Sequence, residues 1–174
     1  MLAGMISLSV CYMNTKGALE TKVAALENYN IDQDNKRTAC QVVFAASLGN
    51  RGQVGPFNTS ITLDFQDVLV NTRGAYNSTT GIFTAPVRGV YFFMYSGLSN
   101  STGNMGLLLM KNNNYNVIAT LQHVAGDRME TATNSISLIL DVGDTVSLQL
   151  SGNTWIFDNL FRFTTFMGQL LFPL

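Results

Sequence analysis

Few residues in this 174-residue chain are equipped for nucleophilic, acid–base or metal chemistry. The one histidine, His123, stands in a turn-like stretch between apolar runs. No serine or cysteine nucleophile and carboxylate are spaced to serve it, so it reads as a surface or packing residue. Asp141 and Asp144 flank Val142-Gly143 and read as turn formers rather than a general acid and base. A calcium site needs about six to eight oxygens. Asp127 and Glu130, in AGDRME, are the loop carboxylates best placed to contribute to one, without a dense acidic loop around them. Cys11 and Cys40 are too few and too isolated to define a disulfide framework or a zinc site. Three stretches match the N-glycan acceptor pattern: Asn58-Thr59-Ser60, Asn77-Ser78-Thr79 and Asn100-Ser101-Thr102. All three fall in turn-like segments, where a glycan can project. The remaining chemistry is recognition. Lys111, Asn112, Asn113, Asn114 and Tyr115 form one polar loop, and Gly126, Asp127 and Arg128 another. Amide-rich loops hydrogen-bond sugars and proteins alike, so their composition does not choose between these ligands.

The background around these residues is apolar and nearly neutral. Hydrophobic residues make up 47% and charged residues 12%, with a net charge of −1. Soluble domains carry about 25% charge, so Asn, Ser, Thr and Gly must cover much of this surface. Such a surface suits extracellular proteins and subunits that bury large areas against each other. Without a basic stripe to neutralise phosphates, nucleic acid is excluded as a partner. No apolar run reaches the ~18 residues of a membrane span. Leu2 to Met13 is an apolar run of secretory-signal length, but no Lys or Arg precedes it. Residues 1–14 therefore read either as an atypical or truncated signal segment or as a first buried strand or helix.

Two kinds of element must position the loops. From about Thr15 to Lys36, Leu19, Val23, Leu26 and Asn30 recur at three- and four-residue steps, with Glu20, Lys22 and Glu27 between them. This thin stripe predicts a helix held by copies of itself or by the body, or else a frayed linker; 28–37 is polar and reads as a connector. Residues 15–40 are thus a helical or linker segment. From Val42 on, short runs alternate with turns: VVFAA, SITLDF, GVYFFMYSGL, GLLLMK, NVIATLQ, SISLILD, TVSLQL and FTTFMGQLLF. That pattern predicts an all-β sandwich or barrel. Period two puts Tyr91, Phe93 and Tyr95 on one face of their strand and Phe92 and Met94 on the other. A sandwich core covers one of those faces. Either a neighbouring subunit or loops of the same chain must cover the other.

The stretch from Phe65 to Tyr95 resembles the signature of the complement C1q globular-head family. Phe65, Asn71, Tyr76, Phe83, Gly89, Tyr91, Phe93 and Tyr95 fill its eight positions with every spacing kept. VVFAAS, LDVGDTVSLQL and FTTFMGQLLFPL are similar to the family's first strand, its late Gly-Asp turn and its closing strand. The resemblance covers residues 41–174. A Leu-rich heptad fragment without Gly-X-Y repeats makes the N-terminal part more similar to cerebellin-like and fish C1q-like proteins. The resemblance implies a ten-stranded antiparallel jelly roll shared with tumour necrosis factor ligands, a homotrimer, secretion and no enzymatic activity. It makes the eight signature residues marks of the fold and its trimer packing. It implies a recognition protein of innate immunity for glycans, microbial surfaces or protein ligands, with a cerebellin-like organiser of cell-surface receptors as the alternative. Calcium near the trimer apex is a feature of some members, for which Asp127 and Glu130 are the candidates here. Cys40, just before the first strand, would lie beside its copies around a trimer axis, as an interchain disulfide or a free thiol.

Overall fold

The computed structural model describes residues 2–39, 41–99, 103–112, 117–124 and 129–174. The chain divides into two units, Met1–Ala39 and Cys40–Leu174. The first is a single helix, α1, Leu2–Ala39. It is longer at both ends than the predicted span, and the polar 28–37 stretch continues it. Polar side chains such as Gln33 or Lys36 do not stop a helix, and residues 18–39 contain neither glycine nor proline to break it.

The second unit is a two-sheet antiparallel jelly roll. The seven-stranded sheet joins β1 (Val43–Ser47), β2 (Gly52–Val54), β4 (Asp67–Asn71), β7 (Gly89–Ser99), β10 (Glu130–Leu140), β12 (Ile156–Asp158) and β13 (Thr165–Pro173). Its order is β2-β12-β7-β13-β1-β4, with β10 also paired to β7. The other sheet joins β5 (Tyr76–Asn77), β6 (Ile82–Thr84), β11 (Thr145–Leu150), β8 (Met105–Lys111) and β9 (Val117–His123) in that order, and β3 (Ile61–Thr62) pairs with β11. Several segments are two- or three-residue pieces, which is why the described residues hold more strands than the ten expected. The alternating SITLDF run yields only the short β3, and His123 closes β9 opposite Met105 rather than lying in a turn.

An aromatic cluster fills the space between the sheets. Phe44 stacks on Tyr76 at 4.7 Å and on Phe83 at 5.2 Å, and meets Phe166 edge-on at 5.0 Å. Phe83 meets Tyr91 and Phe93 edge-on, both at 5.5 Å. Offset and edge-on contacts of this kind add about 0.5–1.5 kcal/mol each beyond burial. Gly168 sits opposite both Phe44 and Phe93 in the sheet. A Cβ there would lie 2.6 Å from each ring, so only glycine lets the two aromatics close over the strand.

Strand register defines two ends of this body. Gly89, Leu140 and Pro173 meet at one end of β7, and Ser99 and Glu130 meet at the other. At about 3.3 Å per residue, the two ends stand more than 30 Å apart.

Candidate interaction surfaces

The signature residues build the interior rather than an opening. Phe65, Tyr76, Phe83, Tyr91, Phe93 and Tyr95 are all buried. Asn71, at the end of β4, clamps the Tyr76 backbone from both sides: its Nδ2 donates to the Tyr76 carbonyl at 2.7 Å and its Oδ1 accepts from the Tyr76 N–H at 3.1 Å. The Tyr76 hydroxyl accepts from the Phe65 N–H at 3.0 Å. Burial pushes this phenol up to about 12, so it stays neutral and serves as a structural link. Gly89 is buried, and a Cβ there would meet the Leu170 side chain at 2.5 Å and the Phe172 carbonyl at 2.6 Å.

Of the residues singled out from the sequence, Lys111 and Asn112 lie at the opposite end from Glu130. Lys111 and Asn112 lie at the Leu140 end, where both are engaged within the chain. Lys111 Nζ pairs with Asp144 Oδ2 at 2.9 Å and donates to the Ile139 carbonyl at 3.2 Å. Asn112 takes a left-handed φ of 55°. Its Nδ2 donates to Asp144 Oδ1 at 2.8 Å, and its Oδ1 accepts from the Thr145 N–H at 2.8 Å. Asp144 also accepts from the Asp141 N–H. Lys111 above all, then Asn112 and the Asp141 backbone, hold the Asp144 carboxyl down to about 2. These side chains tie the β8–β9 connection to the β10–β11 turn. Asn113, Asn114 and Tyr115 lie outside the described residues. Asp127 and Arg128 do too; Val124 and Glu130, on either side of that stretch, lie at the Ser99 end. Both ends cannot contact one small ligand. Among the described residues no three His, Cys, Asp or Glu side chains are grouped to hold a metal; Glu130 opens β10.

A feature that the sequence reading did not single out also lies at the Ser99 end. Between β12 and β13, Asn159–Thr164 forms a tight, internally braced loop with an apolar tip. Asp158, fully buried, accepts the N–H groups of Gly49, Asn159 and Phe163. Asn159 Oδ1 accepts the Phe161 N–H. Arg162, at φ 57°, reaches Asp67 Oδ2 at 2.7 Å, a carboxylate that Ser47 also contacts. The Phe163 carbonyl accepts from Ser96 Oγ. Held by this frame, Leu160 and Phe161 are 75% and 78% exposed, and Phe163 packs on Phe161 at 6.0 Å. The sequence signal was available: three large apolar residues, Leu160, Phe161 and Phe163, sit between Asp158-Asn159 and Thr164, turn formers that argue against a strand.

The seven-stranded sheet has an apolar outer face. Register aligns Val70, Ala45, Met167 and Met94 in one row across β4, β1, β13 and β7, and Val43, Gln169 and Phe92 in the next. On β10 the rows end in Ser135 and Ser137. The row side chains are only half-buried or exposed, whereas their inward neighbours Phe44, Phe93 and Phe166 are fully buried. Val68, Leu69, Ile139, Leu171 and Phe172 extend the exposed apolar area along this sheet. The glycan acceptor motifs fall elsewhere. Asn77 is exposed on β5 of the six-stranded sheet, its Oδ1 accepting from Thr79 and Thr80 N–H, and Asn58 is exposed in the connection into β3 of that sheet. Asn100 and Cys40 lie outside the described residues.

A two-sheet jelly roll with an aromatic core and an apolar sheet face defines a class of proteins built from the C1q and tumour necrosis factor fold. The globular domain of zebrafish complement 1qA superposes with a TM-score of 0.62 at 20% identity, covering 76% of this chain and 99% of that one. The Eiger tumour necrosis factor of S. frugiperda gives 0.61 at 14%, covering 77% and 94%, and murine APRIL gives 0.58 at 11%, covering 75% and 99%. The C1q domain family matches residues 43–171, and the chain belongs to that family. C1q-domain proteins are generally trimeric recognition or signalling proteins, typically extracellular, and the family is non-enzymatic. Among the described residues no helix is long and apolar enough to cross a membrane.

Proposed function

We propose that this chain is a secreted homotrimeric recognition protein of innate immunity that binds glycans of microbial surfaces through loops of its C1q-like head. The observation that carries the reading is the asymmetry of the two sheets. From β4 to β7 the outer face of the seven-stranded sheet is mostly apolar, of the kind that soluble proteins bury against a partner. The Asn58 and Asn77 acceptor motifs belong to the other sheet's side, where a glycan leaves that face free. Family membership supports the number three.

Within this reading, the Ser99 end is the recognition end. It carries Glu130 at the start of β10 and the braced Asn159–Thr164 loop, whereas Lys111 and Asn112 at the opposite end are engaged in internal bonds. Calcium, if used, would bind near Asp127 and Glu130.

The test measures the solution mass of the full chain by light scattering, with and without chelator, then its binding to arrayed microbial glycans and whole bacteria. A trimer that binds glycans supports the proposal, and loss of binding under chelator assigns calcium to the site. A monomer overturns the assembly. A trimer that ignores glycans but binds neuronal or epithelial surface proteins would favour the receptor-organising alternative.

A further inference from the structure

Residues 1–39 form a unit of their own, a helix that the head's assembly does not explain. Between Tyr12 and Gln33 its apolar side chains are exposed: Tyr12, Leu19 and Leu26 are each more than 60% accessible, and Val23 is 45%. Most helical stability in proteins comes from packing an apolar stripe, not from propensity, so this stripe calls for a partner.

The spacing says what the partner is. Tyr12, Leu19 and Leu26 recur every seven residues. Lys16, Val23 and Asn30 recur every seven residues as well, four positions after the first set. These are the d and a positions of a heptad, the seam of a coiled coil. In that frame Thr15, Lys22 and Tyr29 occupy g, and Met13, Glu20, Glu27 and Asp34 occupy e. In a parallel pair, g of one helix faces e of the next heptad on its neighbour, which sets Lys22 against Glu27 and Thr15 against Glu20. In an antiparallel pair, e faces e, and the row of Glu20, Glu27 and Asp34 would meet its own like charges. Within one helix, Lys22 and Glu27 are five residues apart and project roughly 140° from each other, so they do not satisfy each other in the single chain. Lys16 is close to Glu20 at 3.9 Å along the same helix.

We propose that Tyr12–Gln33 is a parallel, in-register coiled coil with copies of the same helix, its register set by Lys22–Glu27 pairs between chains and by Asn30 in the seam. A polar seam residue penalises shifted registers, in which it would face Val23 instead of its own copy. Valine at a and leucine at d do not demand three strands. The number three therefore rests on the head assembly proposed above, whereas the parallel in-register pairing does not.

The test uses full-length chains, isotopically light and heavy, expressed together and treated with a zero-length carbodiimide cross-linker. The expected result is heavy–light peptides joining Lys22 to Glu27. In a Leu19→Asn, Leu26→Asn variant these links should fall at least tenfold, and the α-helical signal in circular dichroism should drop with them while the β signal of the head stays. Absence of heavy–light Lys22–Glu27 links in the unaltered chain overturns the proposal, whatever the heads do. So does a variant that keeps its full helical signal. Links that form in chains whose heads stay monomeric uphold the helix pairing and overturn the head assembly instead.

Discussion

At the scale of single residues, the polar groups that matter most in this molecule hold it together. Asn71 satisfies two backbone groups at Tyr76, and the Tyr76 phenol reaches back to Phe65. Replacing Asn71 with Ala strands a buried-side N–H and carbonyl, so urea unfolding should show a loss of about 1–3 kcal/mol. Tyr76→Phe should cost about 1 kcal/mol, since the stacking on Phe44 survives. A Tyr76→Phe protein as unstable as the Asn71 variant would contradict this division. Asp144 gives the head a pH dependence of definite sign. Its carboxyl titrates near 2 when folded, below its ordinary value of 3.8. The stabilisation it brings is therefore present above about pH 4 and is lost as pH falls toward 2. Asp144→Asn should flatten the acid limb of a melting-temperature profile between those limits and leave the profile above pH 5 parallel to that of the unaltered chain.

At the scale of elements, one short loop illustrates how exposure and rigidity are separated. The Asn159–Thr164 loop owes its shape to Asp158, whose carboxylate takes three backbone N–H groups. Asp158→Ala should destabilise the head by about 3 kcal/mol, because several buried donors lose their acceptor together. Phe161→Ser removes a ring that is mostly in solvent and should change stability by less than ~0.5 kcal/mol. Chemical denaturation of both variants checks the contrast; equal effects would mean that the tip is packed, not presented. The strands β7 and β13 show the same separation between their two faces. The inward row of β7 fills the core, and the outward row, Phe92 and Met94, aligns with Gln169 and Met167 on β13. Helix α1 shows what local signals leave open. Its thin stripe predicted a span near 15–36, and the polar stretch after it reads as a connector, yet the helix runs from Leu2 to Ala39. Helix termini depend on breakers and caps more than on apolar spacing, and none interrupts that stretch.

At the scale of the whole molecule, the proposed trimer makes the apolar sheet face the deciding surface. Met94→Lys would place a charge in the middle of it. In chains that also carry Leu19→Asn and Leu26→Asn, light scattering should then report monomers with an unaltered head, while Asn77→Gln on the other sheet should leave the mass unchanged apart from any glycan. A Met94→Lys protein that remains trimeric in that background would move the assembly to another surface. Much of this architecture was legible in the residues themselves. The period-two runs and the turns between them determined an all-β sandwich or barrel, because alternation along a strand is a local property that any sandwich must obey, and the eight spaced positions from Phe65 to Tyr95 carried the resemblance that implied a jelly roll. The same alternation marked both faces of β7 as apolar. What the chain could not state locally is which distant segments meet. Nothing in the local pattern separates Lys111-Asn112 from Glu130, and only the strand register sent them to opposite ends of the body. Gly49 is far in sequence from Asp158 and Phe163, and Asp67 far from Arg162, so the braced apolar tip exists only once β12, β1, β4 and β13 are assembled. Local pattern determined the kind of fold; long-range pairing, which costs chain entropy and repays it through contacts distant in sequence, decided where its surfaces lie.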